Sequence, residues 1–328
     1  MQGEKRGLVY YLLKVLVEYS DEEHLLTQKE IIKHIENNFH VTYDRKTIAS
    51  GLKFLEDNGV DIYKGDTGIC LGERLIELNE FSFIVDALFS SRSISPIETK
   101  KLYEQLSKCF SRYQRKEYEY VYKVNDVTKS NNDVFHNIYM ISEAISKKKK
   151  ISFLYGGYDD TKKLVPRNNG DRYVVSPYYL VNSLSRYYLL SSNDKYEEKR
   201  ISTYRVDFLL DIAIEDERSE NKKEIFGDNF SIDTYLNEHI YLFGGEVVNA
   251  KIQLENETAI NYIVDWFGNN ASIYKEKDKY FADIRSNEDS LFYWCLQYGR
   301  LIKVISPKSL VNKIVDENKK ILEKYSNN

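Results

Sequence analysis

The chain has 328 residues, 42% of them hydrophobic and 30% charged, and a formal charge of −4. Those values fit a globular protein of two or three domains at about 150 residues each, and they exclude global disorder, a fibrous repeat and a disulfide scaffold. The acidic balance excludes a uniformly basic surface, so any contact with nucleic acid must rest on a local patch.

The first 78 residues predict three helices and a hairpin. Leu8, Tyr11, Leu12, Val15 and Leu16 recur at helical spacing. Thr27 with Glu30 reads as a capping box that opens a second helix carrying Ile31, Ile32 and Ile35. Thr42 is placed to cap a third helix with Ile48, Leu52 and Leu55 as its buried stripe, and Asn58-Gly59 ends it. VDIYKGDTGICLG then reads as two short strands around a Gly-Asp-Thr-Gly turn. Helix, helix, helix, hairpin is the order of a winged helix-turn-helix. Residues 79–133 read as linking helices, one opened by Pro96, with a polar end.

Residues 134–215 predict one helix (Val134, Ile138, Ile141, Ile145) and five short strands, which suggests a small bent sheet or barrel. Residues 216–245 read as a polar, irregular connector. Residues 246–328 read as βαββαβ, a ferredoxin-like order, followed by a last helix after Pro307. Taken together these predict an α+β multidomain protein. Its charge is uneven: −4 over 1–78, +1 over 79–133, +3 over 134–215 and −4 over the remainder, so an anion-binding surface is expected in the third segment.

Two groups of residues suit recognition chemistry. With Ile48, Leu52 and Leu55 turned inward, the third helix presents Arg45, Lys46, Thr47, Ser50 and Lys53, and Lys64 adjoins the turn of the hairpin. Arg suits a guanine edge, Ser and Thr a base edge or phosphate, and Lys a phosphate. A solvated helix face is the commoner meaning of such a pattern. DNA binding is favoured because the cations gather on one edge while Asp21, Glu22 and Glu23 sit in a loop elsewhere. The second group combines Tyr155, Ser176, Tyr178, Tyr188, Arg200 and Arg205. Rings that stack and guanidinium forks that take phosphate suit a nucleotide, although about half of such rings are expected in the core.

The runs SPYYLV, RYYLLSS and ISTYRVD resemble the WYL domain. The tripeptide that names that family reads Tyr187-Tyr188-Leu189 here, with Tyr in place of Trp. Tyr204-Arg205-Val206-Asp207 matches a second family segment, and Phe208 stands where a further basic residue is common. The tail, with Trp294, Gly299 and Pro307, is similar to the WCX extension that follows WYL domains. The resemblance implies a homodimeric bacterial transcriptional regulator with a winged helix-turn-helix over 1–78, a linker over 79–133, an Sm-like WYL barrel over 134–215, a connector over 216–245 and an extension over 246–328. Operator DNA is the implied partner. A nucleic-acid fragment or nucleotide is the implied effector, held by Ser176, Tyr178, Tyr188, Arg200 and Arg205, with Tyr155 beside them. An accessory RNA- or ssDNA-binding protein of a nucleic-acid-targeting defence system is the alternative.

Catalysis is not expected. No P-loop, Gly-x-Gly-x-x-Gly or Gly-x-Ser-x-Gly occurs. Five scattered histidines and three distant cysteines give no metal-ligand spacing. Free cysteines, no signal peptide and no apolar run of about 18 residues lead to a cytoplasmic expectation, without membrane or cofactor.

Overall fold

The computed structural model describes residues 5–91, 94–117, 133–193 and 201–326. The chain forms two compact units, Met1–Asn132 and Asp133–Asn328. It is an α+β chain with three separate sheets. Among the described residues no helix is long and apolar enough to cross a membrane.

The first unit begins with α1 (Lys5–Tyr19), α2 (Gln28–Phe39), α3 (Arg45–Asp57) and the antiparallel pair β1 (Ile62–Lys64) and β2 (Ile69–Leu71). Leu8, Leu12, Val15 and Leu16 of α1 meet Ile31 and Ile35 of α2 and Ile48, Leu52 and Leu55 of α3 in one core. The capping box at the start of α2 forms: Thr27 N donates to Glu30 Oε2 at 2.8 Å, and Glu30 N donates to Thr27 Oγ1 at 3.3 Å. The cap of α3 is Asp44, not Thr42. Asp44 accepts from both the backbone N and the hydroxyl of Thr47, each at 2.8 Å, and a carboxylate is the better partner for the positive end of a helix.

Gly51 lets α3 approach α1 closely. A Cβ there would lie 2.6 Å from Leu12 Cδ1 and 2.8 Å from Leu8 Cδ2, and both leucines are buried. Gly51→Val is therefore expected to destabilise the first unit by about 2 kcal/mol through overpacking. Gly51→Ala should cost less, because about 1 kcal/mol of helix propensity offsets part of the clash. Urea unfolding of the two variants checks the order.

Three further helices follow, α4 (Leu78–Ser90), α5 (Pro96–Leu106) and α6 (Gln114–Glu117). A polar junction fixes this stretch to the end of α1. Arg74 donates to Val17 O (3.2 Å), Cys109 O (2.8 Å) and Ser20 O (2.5 Å). Asp21 lies in the loop after α1, and it is buried there, 5% exposed. It accepts from the Ser111 hydroxyl, from His24 N at 2.9 Å and from His24 Nδ1 at 2.7 Å. Burial alone would raise the Asp21 carboxyl, but the bonds from Ser111 and His24 outweigh it and hold the group below its usual range. Tyr113 stacks on the His24 ring at 3.7 Å.

The second unit opens with α7 (Val134–Lys147) and the strands β3 (Lys149–Tyr158), β4 (Leu164–Pro166), β5 (Arg172–Ser183), β6 (Arg186–Asn193), β7 (Ile201–Arg205) and β8 (Leu209–Arg218). All pairings are antiparallel, in the order β4-β3-β5-β6-β7, with β8 also on β3. Ile141 and Ala144 of α7 cover a core of Ile151, Phe153, Val175, Leu189, Tyr204, Val206 and Leu209.

The expected barrel is corrected to an open sheet. Among the described residues no ladder joins β7 to β8, and the two are linked only through the turn at Val206–Phe208. That 3-10 turn interrupts the strand directly after Arg205. Asn137 of α7, itself buried, donates to Val206 O at 3.2 Å and Leu209 O at 2.9 Å, so a side chain satisfies carbonyls at the seam.

Two short helices, α8 (Lys222–Phe226) and α9 (Ile232–Glu238), occupy the stretch that read as irregular. The last elements are β9 (Val247–Leu254), α10 (Ala259–Phe267), β10 (Ala271–Glu276), β11 (Lys279–Asn287), α11 (Glu288–Tyr298), β12 (Ile302–Ser306) and α12 (Lys308–Ser326). Their sheet runs β10-β11-β9-β12, all antiparallel, so α10 and α11 each cross over an intervening strand. Trp294 of α11 lies at the centre of that core, against Phe267 and Tyr298.

Candidate functional site

On the first unit, the N-cap of α3 fixes the end of the helix that carries most of the cations. Arg45, Lys46, Ser50 and Lys53 are exposed. Lys46, Ser50 and Lys53 lie on the face opposite Ile48, Leu52 and Leu55. Arg45, one turn before Ile48, is on the stripe's side and is exposed because it is the first residue of the helix, a correction to the single face expected from the sequence. Among the described residues no ion pair holds Arg45, Lys46 or Lys53. Thr47 differs: its hydroxyl is engaged by the Asp44 cap. Lys64 also differs. It pairs with Glu56 of α3 at 2.5 Å and so ties the hairpin to the helix. Glu56, Asp57 and Asp66 line the groove between α3 and the hairpin together with Lys53 and Lys64, so acids and cations mix there.

On the second unit the six sequence-derived effector residues separate. Arg200 lies outside the described residues. Ser176 and Tyr178 stand at one end of the β5–β6 ladder, where Ser176 pairs with Ser192. Both hold Glu220. Its backbone N donates to Ser176 Oγ at 3.0 Å, and the Tyr178 hydroxyl donates to Glu220 O at 3.4 Å. Ser192 Oγ donates to Glu220 Oε2 at 2.8 Å. These hydroxyls fasten the segment that leads into α8, and Tyr178 is nearly buried against Phe226.

Tyr155, Tyr188 and Arg205 gather at the other end. Tyr188 lies directly opposite Arg205, four residues along β6 from Ser192, or roughly 13 Å at about 3.3 Å per residue. Arg205 N donates to the Tyr155 hydroxyl at 3.3 Å. The Tyr155 hydroxyl is pushed up by burial, and the bond from Arg205 only partly opposes this. Around them stand Phe208, 6.0 Å from the Tyr155 ring, and Tyr158, 5.7 Å from the Phe208 ring.

The Arg205 guanidinium is already engaged. Nε donates to Asp207 Oδ1 at 3.1 Å and Nη2 to Oδ2 at 2.6 Å, a two-pronged ion pair. It also lies 3.8 Å over the Phe208 ring, the residue that stands where a second base is common. Burial alone would lower Arg205, but Asp207 more than offsets it and the group is held above its usual range.

Three residues that were not among the six sequence-derived effector residues belong to this neighbourhood. Asp207 is the counter-charge, two residues from Arg205. Arg186 starts β6 on the same face as Tyr188, which the period of two could have revealed. Arg167 lies across Gly157, where a Cβ would sit 1.8 Å from its Nε, and it acts on the Tyr155 hydroxyl. Only β3 pairing brings it there. Among the described residues no cluster of His, Cys, Asp and Glu is arranged to hold a metal. Burial pushes the Cys295 thiol up to about 12, so it is a core group and not a reactive one.

Residues 136–214, which span most of α7 and the strands β3 to β8, match the family model of the WYL domain. No curated protein matches the chain. Among solved structures, proteasome accessory factor B/C (PafBC) of Arthrobacter aurescens is similar at 14% identity and a TM-score of 0.30, over 95% of this chain and 48% of that one. The chain thus spans about half the length of that protein. A CRISPR Cas-related protein is similar at 14% identity and a TM-score of 0.40, over 78% of this chain and 76% of that one.

Proposed function

We propose that the chain is a DNA-binding transcriptional regulator whose WYL domain senses an anionic, nucleotide-like effector. The observation that carries the DNA-binding half is the exposed edge of Arg45, Lys46, Ser50 and Lys53 on α3, beside a β-hairpin, in a helix–helix–helix–hairpin unit read as a winged helix-turn-helix. The cluster of guanidinium groups and rings at Arg205, Arg186, Tyr158 and Tyr188 supports the sensing half.

In this reading α3 enters the major groove. Arg45 and Ser50 face base edges, while Lys46 and Lys53 take phosphates. Thr47 and Lys64 act by positioning the helix and hairpin. A homodimer places two such helices roughly 34 Å apart on a pseudo-palindrome. The effector shifts the dimer between geometries that do and do not match that spacing.

Arg45→Ala with Lys46→Ala is expected to weaken binding to the chain's own promoter duplex by about tenfold or more at about 0.1 M salt, where the Debye length is about 10 Å, and to make the salt dependence shallower. Mobility shift across a salt series checks it. Unchanged affinity in a folded double variant would remove α3 as the reading helix. Binding to single strands or RNA, but to no duplex, would favour the accessory-protein role in a nucleic-acid-targeting defence system.

A further inference from the structure

The WYL domain carries two arginines at the same end of the β6–β7 ladder, and among the described residues only one of them is engaged by a carboxylate. Arg186 is separated from Tyr188 by one residue of β6, so both side chains leave the same face. Tyr188 faces Arg205 across the β6–β7 ladder. Arg186 therefore lies one pleat beyond the Tyr188–Arg205 pair, at the end of the ladder where the 3-10 turn with Asp207 begins. Arg186, Arg205 and Asp207 all act on the Tyr158 hydroxyl, so the four groups share one neighbourhood.

Their bonding differs sharply. Arg205 takes both oxygens of Asp207, which is 3% exposed, and rests on Phe208. Arg186 has no such partner: its Nε is buried and no hydrogen bond reaches it among the described residues. A buried guanidinium N–H without an acceptor is costly and calls for an explanation, and beside a second guanidinium a bound anion supplies one. Two guanidinium charges against one carboxylate leave a surplus of one positive charge. That suits a single phosphodiester or phosphate oxygen pair. Tyr158, half-buried beside Phe208 at 5.7 Å, offers a ring next to the surplus charge.

We infer that Arg186, rather than Arg205, is the guanidinium that takes the effector's phosphate, and that Asp207 holds Arg205 out of that role. Arg205 with Phe208 then forms a fixed wall of the site. The inference rests on the effector-sensing reading above and deepens it: the ligand is a phosphate carried next to a base. A strand and a free nucleotide share that chemistry.

The test uses the full chain with two probes, a 5′-phosphorylated thymidine pentanucleotide and thymidine 5′-monophosphate, by fluorescence anisotropy and calorimetry respectively. Arg186→Gln is expected to weaken whichever probe the unaltered chain binds by about tenfold or more, the worth of a charged hydrogen bond. For the pentanucleotide it should also make the salt slope shallower by about 0.7. Asp207→Asn, shown to be folded by circular dichroism, should bind at least as tightly, because it releases Arg205. Equal affinity in Arg186→Gln would overturn the assignment while leaving the effector reading standing. Weaker binding by folded Asp207→Asn would overturn the part given to Asp207. No binding of either probe by the unaltered chain would remove the effector reading, and this inference with it. The pentanucleotide binding where the mononucleotide does not identifies a strand as the ligand, and the reverse identifies a free nucleotide.

Discussion

Asp207→Ala is expected to lower the stability of the second unit by about 3 kcal/mol, seen as a fall in Tm of about 6–12 °C by circular dichroism. The carboxylate is 3% exposed and takes two bonds from Arg205. Its removal leaves a guanidinium whose side chain is 25% exposed, over Phe208, without its counter-charge. Breaking a buried pair from one side typically costs about 3–5 kcal/mol, because the remaining charge is stranded. The lower end applies because part of Arg205 already meets water. Asp207 is also the middle residue of the 3-10 turn that separates β7 from β8, so the loss falls at the seam of the sheet. A change below about 0.5 kcal/mol would mean that the pair is a surface contact in solution.

Trp294→Ala should be at least as damaging. The indole is fully buried in the core formed by α10, α11 and the four-stranded sheet, 5.0 Å from the Phe267 ring and 4.9 Å from the Tyr298 ring. Truncating a buried Trp costs about 3–5 kcal/mol. Trp294→Phe is expected to cost much less than its lost volume implies. The Trp294 Nε1 is buried with no hydrogen-bond partner among the described residues, so the smaller ring also removes an unsatisfied donor. Guanidinium unfolding followed by far-UV circular dichroism ranks the three proteins. A Phe variant as unstable as the Ala variant would contradict the reasoning.

Short-range features were legible in the sequence, and long-range ones were not. The Thr27–Glu30 capping box and the Ser95-Pro96 start of α5 are local, so residue types at fixed spacing reveal them. The cap of α3 was misplaced by two residues, because Thr42 and Asp44 are both good caps and only the backbone decides between them. The order βαββαβ was readable from periodicity, whereas the strand order β10-β11-β9-β12 is fixed by pairing. In the WYL domain, Ser176 and Tyr178 look like pocket residues from their strand. Their hydroxyls meet Glu220, more than 40 positions away, and no pattern announces that. Asp207 was two residues from Arg205, yet the 3-10 turn was needed to fold it back onto the guanidinium. The Asp21–Ser111 bond spans 90 positions and lay beyond any local rule.

The junction at Arg74 bears on how the first unit can move. One guanidinium gathers the carbonyls of Val17 and Ser20 at the end of α1 together with that of Cys109, and Asp21 bonds Ser111 beside it. The cross-links bridge the stretch that a hinge would need. A torque applied at α6 is therefore expected to reach α3, which shares its core with α1, as a rotation of the whole body and not as bending within it. α3 then acts as the far end of a stiff lever: a small angular input at one end becomes a displacement at Arg45 that grows with the length of the arm.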